Sequence, residues 1–249
     1  MWKILIVILG NVGCFLVVTT MVDMKLMGKL VHKKSKECPK REFVIKQPNK
    51  IDIQTGYQCA AYSVAYLLRH YEIPATGSDI YTRIPDKMKT GCTYPKGIVH
   101  ILQEYDFHAK YCSGNLKVLE NEISKGNPVI VMIRVRKDKN WLHYVPVVGF
   151  DEKYIFIAES LSELVNYDGK LYNRRIEKGE FERLWNTSMI RQPLYKNTFF
   201  AVQKAKKHRK YADVTIRIAY VPGRFFSFFI VSVTFKTAHE QYGKEKGQI

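Results

Sequence analysis

Residues 54–71 read QTGYQCAAYSVAYLLRHY, and from Cys59 onward this stretch has the spacing of an amphipathic helix. Its apolar side chains recur at intervals of three and four residues, and strong helix formers fill the positions between them. Cys59 then lies in the first turn, where the helix dipole favours negative charge. We predict a helix over residues 59–71 that begins at this cysteine.

A cysteine at the start of a helix has two interpretations. It is commonly a small buried hydrophobe. It is a nucleophile when a helix N-terminus or a nearby imidazolium stabilises its thiolate. Gln54 lies five residues upstream in a turn that contains glycine, and its amide is a candidate donor to an oxyanion near the helix start. Gln58, immediately before Cys59, is a second candidate for that donor.

The sequence changes from helical to β-rich along its length. Pro95 can open a second helix through residue 105, and Asn115 and Gly126 can open and close a third. Residues 128–135 then form a β-branched apolar run. Two further strands flank the turn at Asp151-Glu152-Lys153 and predict an antiparallel hairpin of residues 143–150 and 154–160. Helices followed by strands predict an α+β fold.

His143 opens the first strand of this hairpin and is the one histidine of seven at the entry to a predicted core hairpin. A histidine that serves as base for a thiol needs a third group to hold its tautomer. The hairpin returns the chain beside its start, so either Glu159 or Asp151 can face His143. We predict Glu159, because Asp151 lies in the turn and is expected to be solvated.

The order of these motifs resembles the bacteriocin-processing cysteine peptidases, the double-glycine leader peptidases of family C-39, over about residues 43–202. The runs 54-QTGYQCAAYSVAYLLRH-70 and 141-WLHYVPVVGFDEKYIFIAES-160 also resemble a stand-alone, membrane-anchored subgroup. The resemblance implies a papain-like fold in which N-terminal helices pack on an antiparallel sheet. It also implies a catalytic set comprising Cys59, His143, Glu159 and Gln54.

Three positions depart from the family pattern. Gln54 lies five residues before Cys59 rather than six, and Ala60 replaces the usual glycine. Glu159 replaces the usual aspartate and is one methylene longer, which bears on catalytic strength more than on fold. The exporter-linked members carry an ATPase domain that this sequence lacks, so coupling to transport is not implied.

The expected function is a cysteine peptidase that acts through a thiolate and an acyl-enzyme intermediate on a peptide or protein substrate. The alternatives are a papain-like acyltransferase or deamidase, since the same Cys–His pair serves any acyl–thiol step, and a non-catalytic membrane-anchored peptide-binding module. We expect a monomer without metal or cofactor. The five cysteines show no C-x-x-C spacing, and Walker A, Rossmann and H-E-x-x-H motifs do not occur.

The formal net charge of +17 is concentrated in two flanks. Residues 25–50 and residues 204–249 each carry +7, whereas residues 51–203 carry only +3. A nearly neutral middle without a recognisable nucleic-acid-binding motif makes nucleic acid an unexpected partner. The tail contains 214–235, which is either a hairpin turning at Pro222-Gly223 or a segment for a membrane surface.

Residues 4–22 form an uncharged run of nineteen residues, which predicts a membrane anchor or an uncleaved signal. The expected location is therefore a single-pass membrane protein. Charge bias favours a cytoplasmic domain, but the resemblance to anchored relatives favours the extracytoplasmic side, which we adopt. The predicted organisation is an anchor or signal, a basic linker, a papain-like peptidase domain and a basic tail of unknown role, at residues 1–24, 25–42, 43–203 and 204–249.

Overall fold

The computed structural model describes residues 2–26, 28–34, 40–189, 195–205, 213–221 and 228–236. The chain divides into two compact units, Met1–Ala205 and Lys206–Ile249. The helices described in the first unit are α1 (Trp2–Leu26), α2 (Cys59–His70), α3 (Gly77–Arg83), α4 (Pro95–Glu104), α5 (Leu116–Ile123) and α6 (Lys178–Trp185). Its strands are β1 (Val31–His32), β2 (Phe43–Val44), β3 (Phe107–Ser113), β4 (Val129–Arg136), β5 (Lys139–Phe150), β6 (Tyr154–Ile157), β7 (Arg174–Glu177) and β8 (Thr198–Lys204).

The strands of the first unit form one sheet in the order β1-β3-β8-β4-β5-β6-β7, with β2 paired to β5. The pairs are antiparallel except β1 with β3, which is parallel. Successive side chains of a strand point to opposite faces. In β4, Ile130 and Met132 therefore pack into the core formed with α2, α3 and α4, while Val131 and Ile133 pack into the core formed with α5 and α6. Both faces of the sheet are covered.

Helix α2 lies against β5 and is buried over nearly its whole length. All nine residues from Ala60 to Leu68 are buried. The buried hydroxyl of Ser63 is satisfied by the sheet, because its Oγ donates to the backbone oxygen of Tyr144 at 3.0 Å. The helix begins where the backbone oxygen of Gln58 accepts the N–H groups of Ala61 and Tyr62. The position of Cys59 against the sheet is thereby fixed.

The predicted α+β fold, with helices packed on a largely antiparallel sheet, is confirmed. The helix predicted over 59–71 is α2, which ends one residue earlier, at His70. The other two predicted helices are α4 and α5, and α5 is capped as expected, with the Asn115 side chain accepting the Val118 N–H at 3.0 Å. The predicted strands correspond to β4, β5 and β6. Local patterning missed α3, α6, β3, β7 and β8.

The predicted N-terminal membrane helix is wrong. Residues 2–26 form α1, but within the described ranges no helix is long and apolar enough to cross a membrane. The run 4–22 is free of charge without being uniformly apolar, since it includes Asn11, Thr19 and Thr20. The predicted single-pass location, its extracytoplasmic side and the membrane as a partner through this helix are corrected with it.

In the second unit the structure describes two strands, β9 (Asp213–Val221) and β10 (Phe228–Lys236). They pair antiparallel along their whole length, from Asp213 opposite Lys236 to Val221 opposite Phe228. This is the pairing of a hairpin, one of the two interpretations of this segment. The expected turn at Pro222-Gly223 lies outside the described residues.

Candidate active site

A cavity of about 320 Å³ lies where the start of α2 faces the sheet. Four parts of the chain form it: the turn before α2 with the start of that helix, the segment between α3 and α4, the end of the β4–β5 hairpin, and the segment after β6. Its lining residues are Gln54, Thr55, Gly56, Tyr57, Cys59, Cys92, Val135, Arg136, Lys139, Trp141, Leu142, His143, Leu161 and Glu163. Cys59, His143 and Gln54 therefore share one cavity.

The Cys59 thiol lies beside the His143 ring, and the interaction of the two side chains raises the pKa of His143. Cys59 is the first residue of α2 and is half-buried, so its sulfur is fixed yet reachable from the cavity. His143 lies on β5 opposite Ile133 of β4 and is only 2% exposed. Its Nε2 bonds Glu159, which leaves Nδ1 for the thiol. Helix and sheet each contribute one member of the pair.

Glu159 is fully buried and uses both carboxylate oxygens. Its Oε1 accepts from His143 Nε2 at 2.7 Å and from the Leu161 N–H at 2.8 Å. Its Oε2 accepts from Arg174 Nη1 at 2.7 Å. The Asn173 side chain holds the Glu159 backbone, accepting its N–H at 2.7 Å and donating to its oxygen at 2.9 Å. Three donors therefore hold the carboxylate, and Asn173 fixes the backbone that carries it.

The pKa values of His143 and Glu159 are shifted in opposite directions. Burial alone would lower the pKa of His143, but the Glu159 carboxylate and the hydrogen bond with Cys59 outweigh it and raise that pKa to about 9. Burial would raise the pKa of Glu159, but His143, followed by Arg174 and the Leu161 N–H, lowers it to about 2. At neutral pH the site thus favours a charged imidazolium beside a carboxylate.

The end of β6 explains how Glu159 reaches the interior. The strand predicted over 154–160 stops at Ile157, whose partner in β7 is Arg174. The chain then leaves the ladder, which turns Glu159 towards His143 and places it next to the buried arginine. Asp151, the alternative acid, stays in the β5–β6 turn, where its Oδ1 accepts the N–H groups of Lys153 and Tyr154 at 2.7 and 2.6 Å.

Gln54 is tied to the same segment as Glu159. Its backbone N–H donates to the Ser160 backbone oxygen at 2.9 Å, and its side-chain Oε1 accepts from Ser160 Oγ at 2.6 Å. Its Nε2 donates to the backbone oxygen of Gly56. The other candidate donor, Gln58, supplies its backbone carbonyl to the first turn of α2. The structure thus brings Cys59, His143, Glu159 and Gln54 together; their catalytic roles stay predictions.

Sequence reasoning missed three residues that hold the site: Arg174, Asn173 and Ser160. Nothing local distinguishes Arg174 from the other members of a set of forty lysines and arginines. Its burial follows from the pairing of β6 with β7, which periodicity does not reveal. Among the described residues, no group of three or more His, Cys, Asp or Glu side chains could hold a metal ion.

Comparison with known proteins places this site in a family. The model of the Peptidase C39-like family matches residues 43–190. Comparison with curated proteins found no match. The chain belongs to the Peptidase C39-like family, which confirms the resemblance seen in its motifs.

Several solved structures are similar to this chain. One is the peptidase domain of Streptococcus ComA, a bifunctional ABC transporter involved in quorum sensing, at 16% identity and a TM-score of 0.49, covering 64% of this chain and 99% of that one. A C39-like peptidase from Bacillus anthracis has the same identity and TM-score, with coverages of 66% and 98%. A third is a double-glycine motif protease from an AMS/PCAT transporter, solved in complex with the leader peptide. It has 16% identity and a TM-score of 0.42, covering 67% of this chain and 100% of that one.

Proposed function

We propose that this protein is a cysteine peptidase in which Cys59 is the nucleophile, His143 the acid–base and Glu159 the group that orients the imidazole. One observation carries the proposal: the Cys59 thiol lies beside the ring of His143, this ring is hydrogen-bonded to the buried Glu159, and the thiol faces a cavity. A nucleophile, a base and an orienting acid in this order are what acyl transfer to a thiol requires.

The reaction begins from a thiolate–imidazolium pair. The pKa of His143, about 9, keeps the ring protonated at neutral pH. The attacking form of the thiol is the thiolate, which an adjacent imidazolium stabilises. The thiolate sulfur attacks the substrate carbonyl carbon, and the electron pair of the C=O bond moves to oxygen. As the C–N bond breaks, His143 gives its proton to the leaving amine. Water, deprotonated by His143, then cleaves the thioester and regenerates the pair.

We propose two donors for the oxyanion. The Cys59 backbone N–H is at the start of α2, where the first N–H groups have no partner within the helix. The Gln54 amide carries two N–H bonds, one of which is used by Gly56. The second is free to bind the developing oxyanion. The link from Gln54 Oε1 to Ser160 Oγ fixes the rotation of this amide.

The nucleophile is tested by covalent labelling with a peptide that carries a thiol-reactive electrophile. We expect wild type to incorporate one label at Cys59 and Cys59→Ser to incorporate none. Cys92 lines the same cavity and is also half-buried, so Cys92→Ser is the matched control and should label at the wild-type rate. Loss of labelling in Cys92→Ser, or labelling that persists in Cys59→Ser, contradicts the assignment of Cys59 as the nucleophile.

Turnover separates the peptidase from its alternatives. A peptidase converts a peptide substrate into two fragments with a new carboxylate, detected by mass spectrometry. A transferase gives a product joined to an added amine, and a deamidase releases ammonia without shortening the chain. A peptide-binding module retains the peptide unchanged. Any of the last three outcomes with wild type, without formation of two peptide fragments, removes the peptidase assignment.

A further inference from the structure

The end of the β4–β5 hairpin forms a positively charged edge of the active-site cavity. Arg136 ends β4, Lys139 begins β5, and the two-residue turn Lys137-Asp138 joins them. Both Arg136 and Lys139 line the cavity that contains Cys59 and His143. This edge is therefore within reach of the peptide bond that the site would attack.

Arg136 and Lys139 are direct cross-strand partners in the ladder. Directly opposite residues of an antiparallel pair point to the same face, and like charges in that position repel and destabilise the pair. The hairpin therefore holds two cations together at a cost in the unliganded protein. An anion bound between them removes that repulsion.

The neighbouring cations of the hairpin have partners, but these two have no counter-ion in the part of the chain that the structure describes. Arg134 donates to the Arg183 backbone oxygen, and Lys137 lies 3.7 Å from Glu180. Arg136 is exposed and forms no ion pair among the described residues, and Lys139 lies over the Trp141 ring, 4.7 Å from its centroid. Their positive charge is available to a ligand.

General basicity does not account for this edge. Residues 51–203 carry only +3 in total, because twenty Lys and Arg are nearly matched by seventeen Asp and Glu. Arg136 and Lys139 nevertheless lie side by side at the cavity rather than apart on the surface. The acidic side chain among the lining residues is Glu163, from the Ser162–Leu164 turn, so the cavity edge combines two cations with one anion.

Trp141 adds an apolar platform beside the two charges. It lines the cavity while leaving 59% of its surface exposed, and Lys139 packs its ammonium against the ring face. A cation held over an aromatic ring has less freedom than a solvated lysine, so it loses less entropy when it binds an anion. The ring also offers contact area to the backbone of an extended peptide.

We propose that Arg136 and Lys139 form a subsite that binds an acidic side chain of the peptide substrate close to the scissile bond. The inference rests on the proposed function, because it takes the cavity to be the peptidase site. The substrate class is then a peptide with Asp or Glu within a few residues of the cleaved bond, since each extended residue spans about 3.3–3.6 Å. Clefts lined by one sign of charge also attract oppositely charged ligands and raise their association rate.

Matched peptides test the subsite in the full-length protein. Each pair differs only by Glu or Gln at one position, scanned across the residues on either side of the reactive group, and both kcat/KM for cleavage and the labelling rate of Cys59 are measured. At one position we expect the Glu peptide to be preferred about three- to tenfold, the scale of exposed charge pairs acting together. The preference should shrink as NaCl is raised.

Charge reversal makes the test specific. Arg136→Glu/Lys139→Glu should lose the preference for Glu and favour the corresponding Lys peptide, with each rate taken relative to the rate of the same variant with the Gln peptide. Lys110→Glu is the control, because Lys110 is likewise an exposed strand residue but lies on β3, outside the cavity lining. Thermal unfolding of each variant verifies that the exposed hairpin end tolerates the change.

The outcomes distinguish failure of the subsite from failure of the peptidase assignment. No labelling or cleavage of any peptide by wild type overturns the proposed function, and the subsite with it. Labelling of Cys59 without a charge preference at any position overturns the subsite alone. A preference that persists in the double variant, or disappears equally in Lys110→Glu, also overturns it, because the charge effect then belongs to the whole surface.

Discussion

Glu159 stands where the resemblance leads one to expect aspartate, and its surroundings show how the longer side chain is accommodated. The added methylene gives the carboxylate one more rotatable bond, which would let it swing away from His143. The Leu161 N–H holds Oε1 and Arg174 holds Oε2, both within 2.8 Å. Because both oxygens are held, the longer glutamate side chain still keeps the imidazole in one orientation.

Replacing Glu159 with glutamine tests this role at the residue scale. An amide accepts at one end and donates at the other, so it favours the wrong tautomer of His143 and leaves buried Arg174 without a counter-charge. We expect the labelling rate of Cys59 and kcat for cleavage to fall by up to about 10⁴-fold. Rates are measured by stopped-flow fluorescence with a quenched peptide.

Asp151→Asn is the control for the Glu159→Gln variant, since Asp151 serves the β5–β6 turn rather than His143. Its rates should stay close to wild type. Unchanged kinetics in Glu159→Gln would remove Glu159 from the catalytic group. A drop of equal size in both variants would point to a loss of hairpin structure instead.

The residues of the site differ in how far sequence could identify them. Cys59 was found from the helix that it opens, and the contact of His143 with Glu159 was expected from the length of the hairpin; the structure has that hydrogen bond. Arg174, the first residue of β7, and Asn173, immediately before it, lie fifteen and fourteen residues beyond Glu159. Their approach depends on the register of β6 with β7, and register is a tertiary property with no local signal.

At the scale of elements, the periodicity of the sequence predicts the helices and strands whose own residues determine their structure. Helix α2 has helix formers and an apolar face, and β4 has a continuous β-branched run, so both were predicted. Strands β3 and β8 were missed. Lys110, His108 and Gln203 interrupt their apolar residues, and their pairing joins segments about ninety residues apart. Such pairing depends on the assembled sheet rather than on either segment alone.

Gly149 is an element-scale test of the pairing between β2 and β5. A Cβ at this position would lie 2.6 Å from the backbone oxygen of Phe43 and 2.9 Å from Val44 Cα. Gly149→Ala should therefore push β2 away from β5 and lower the free energy of unfolding by about 1–3 kcal/mol. Chemical denaturation monitored by tryptophan fluorescence measures the change.

Gly179, in α6, provides the matched control for the Gly149→Ala variant. A Cβ there meets no atom within 4 Å, and alanine is the better helix former. Gly179→Ala should leave stability unchanged or raise it by up to about 1 kcal/mol. If Gly149→Ala proves as harmless as Gly179→Ala, β2 does not pack against β5 as closely as described.

At the scale of the whole molecule, the buried His143–Glu159 pair links stability to pH. The pKa of Glu159 falls from 4.5 to about 2 on folding, so its contribution is complete above pH 4.5 and is lost as the pH falls from 4.5 towards 2. The pKa of His143 rises from 6.5 to about 9, so its contribution is complete below pH 6.5 and is lost as the pH rises towards 9. Both are complete between pH 4.5 and 6.5.

The predicted observable is the difference in free energy of unfolding between wild type and His143→Gln/Glu159→Gln, measured by denaturant titration from pH 3 to pH 9.5. Taking the difference cancels the contributions of the other ionisable groups. The difference should be largest between about pH 4.5 and 6.5 and should decrease on both sides. A difference that is flat across this range would show that the pair is not ionised in the folded protein.

The place of β8 in the sheet has a consequence for how the protein is made. This strand is the last of its unit in the chain, yet it lies between β3 and β4, and its Phe199 and Phe200 pack into the cores on opposite faces. Synthesis proceeds from the N-terminus, so β3 and β4 leave the ribosome with open edges that only residues 198–204 can join. The first unit, and with it the proposed peptidase site, therefore finishes folding only when almost the whole unit has been translated.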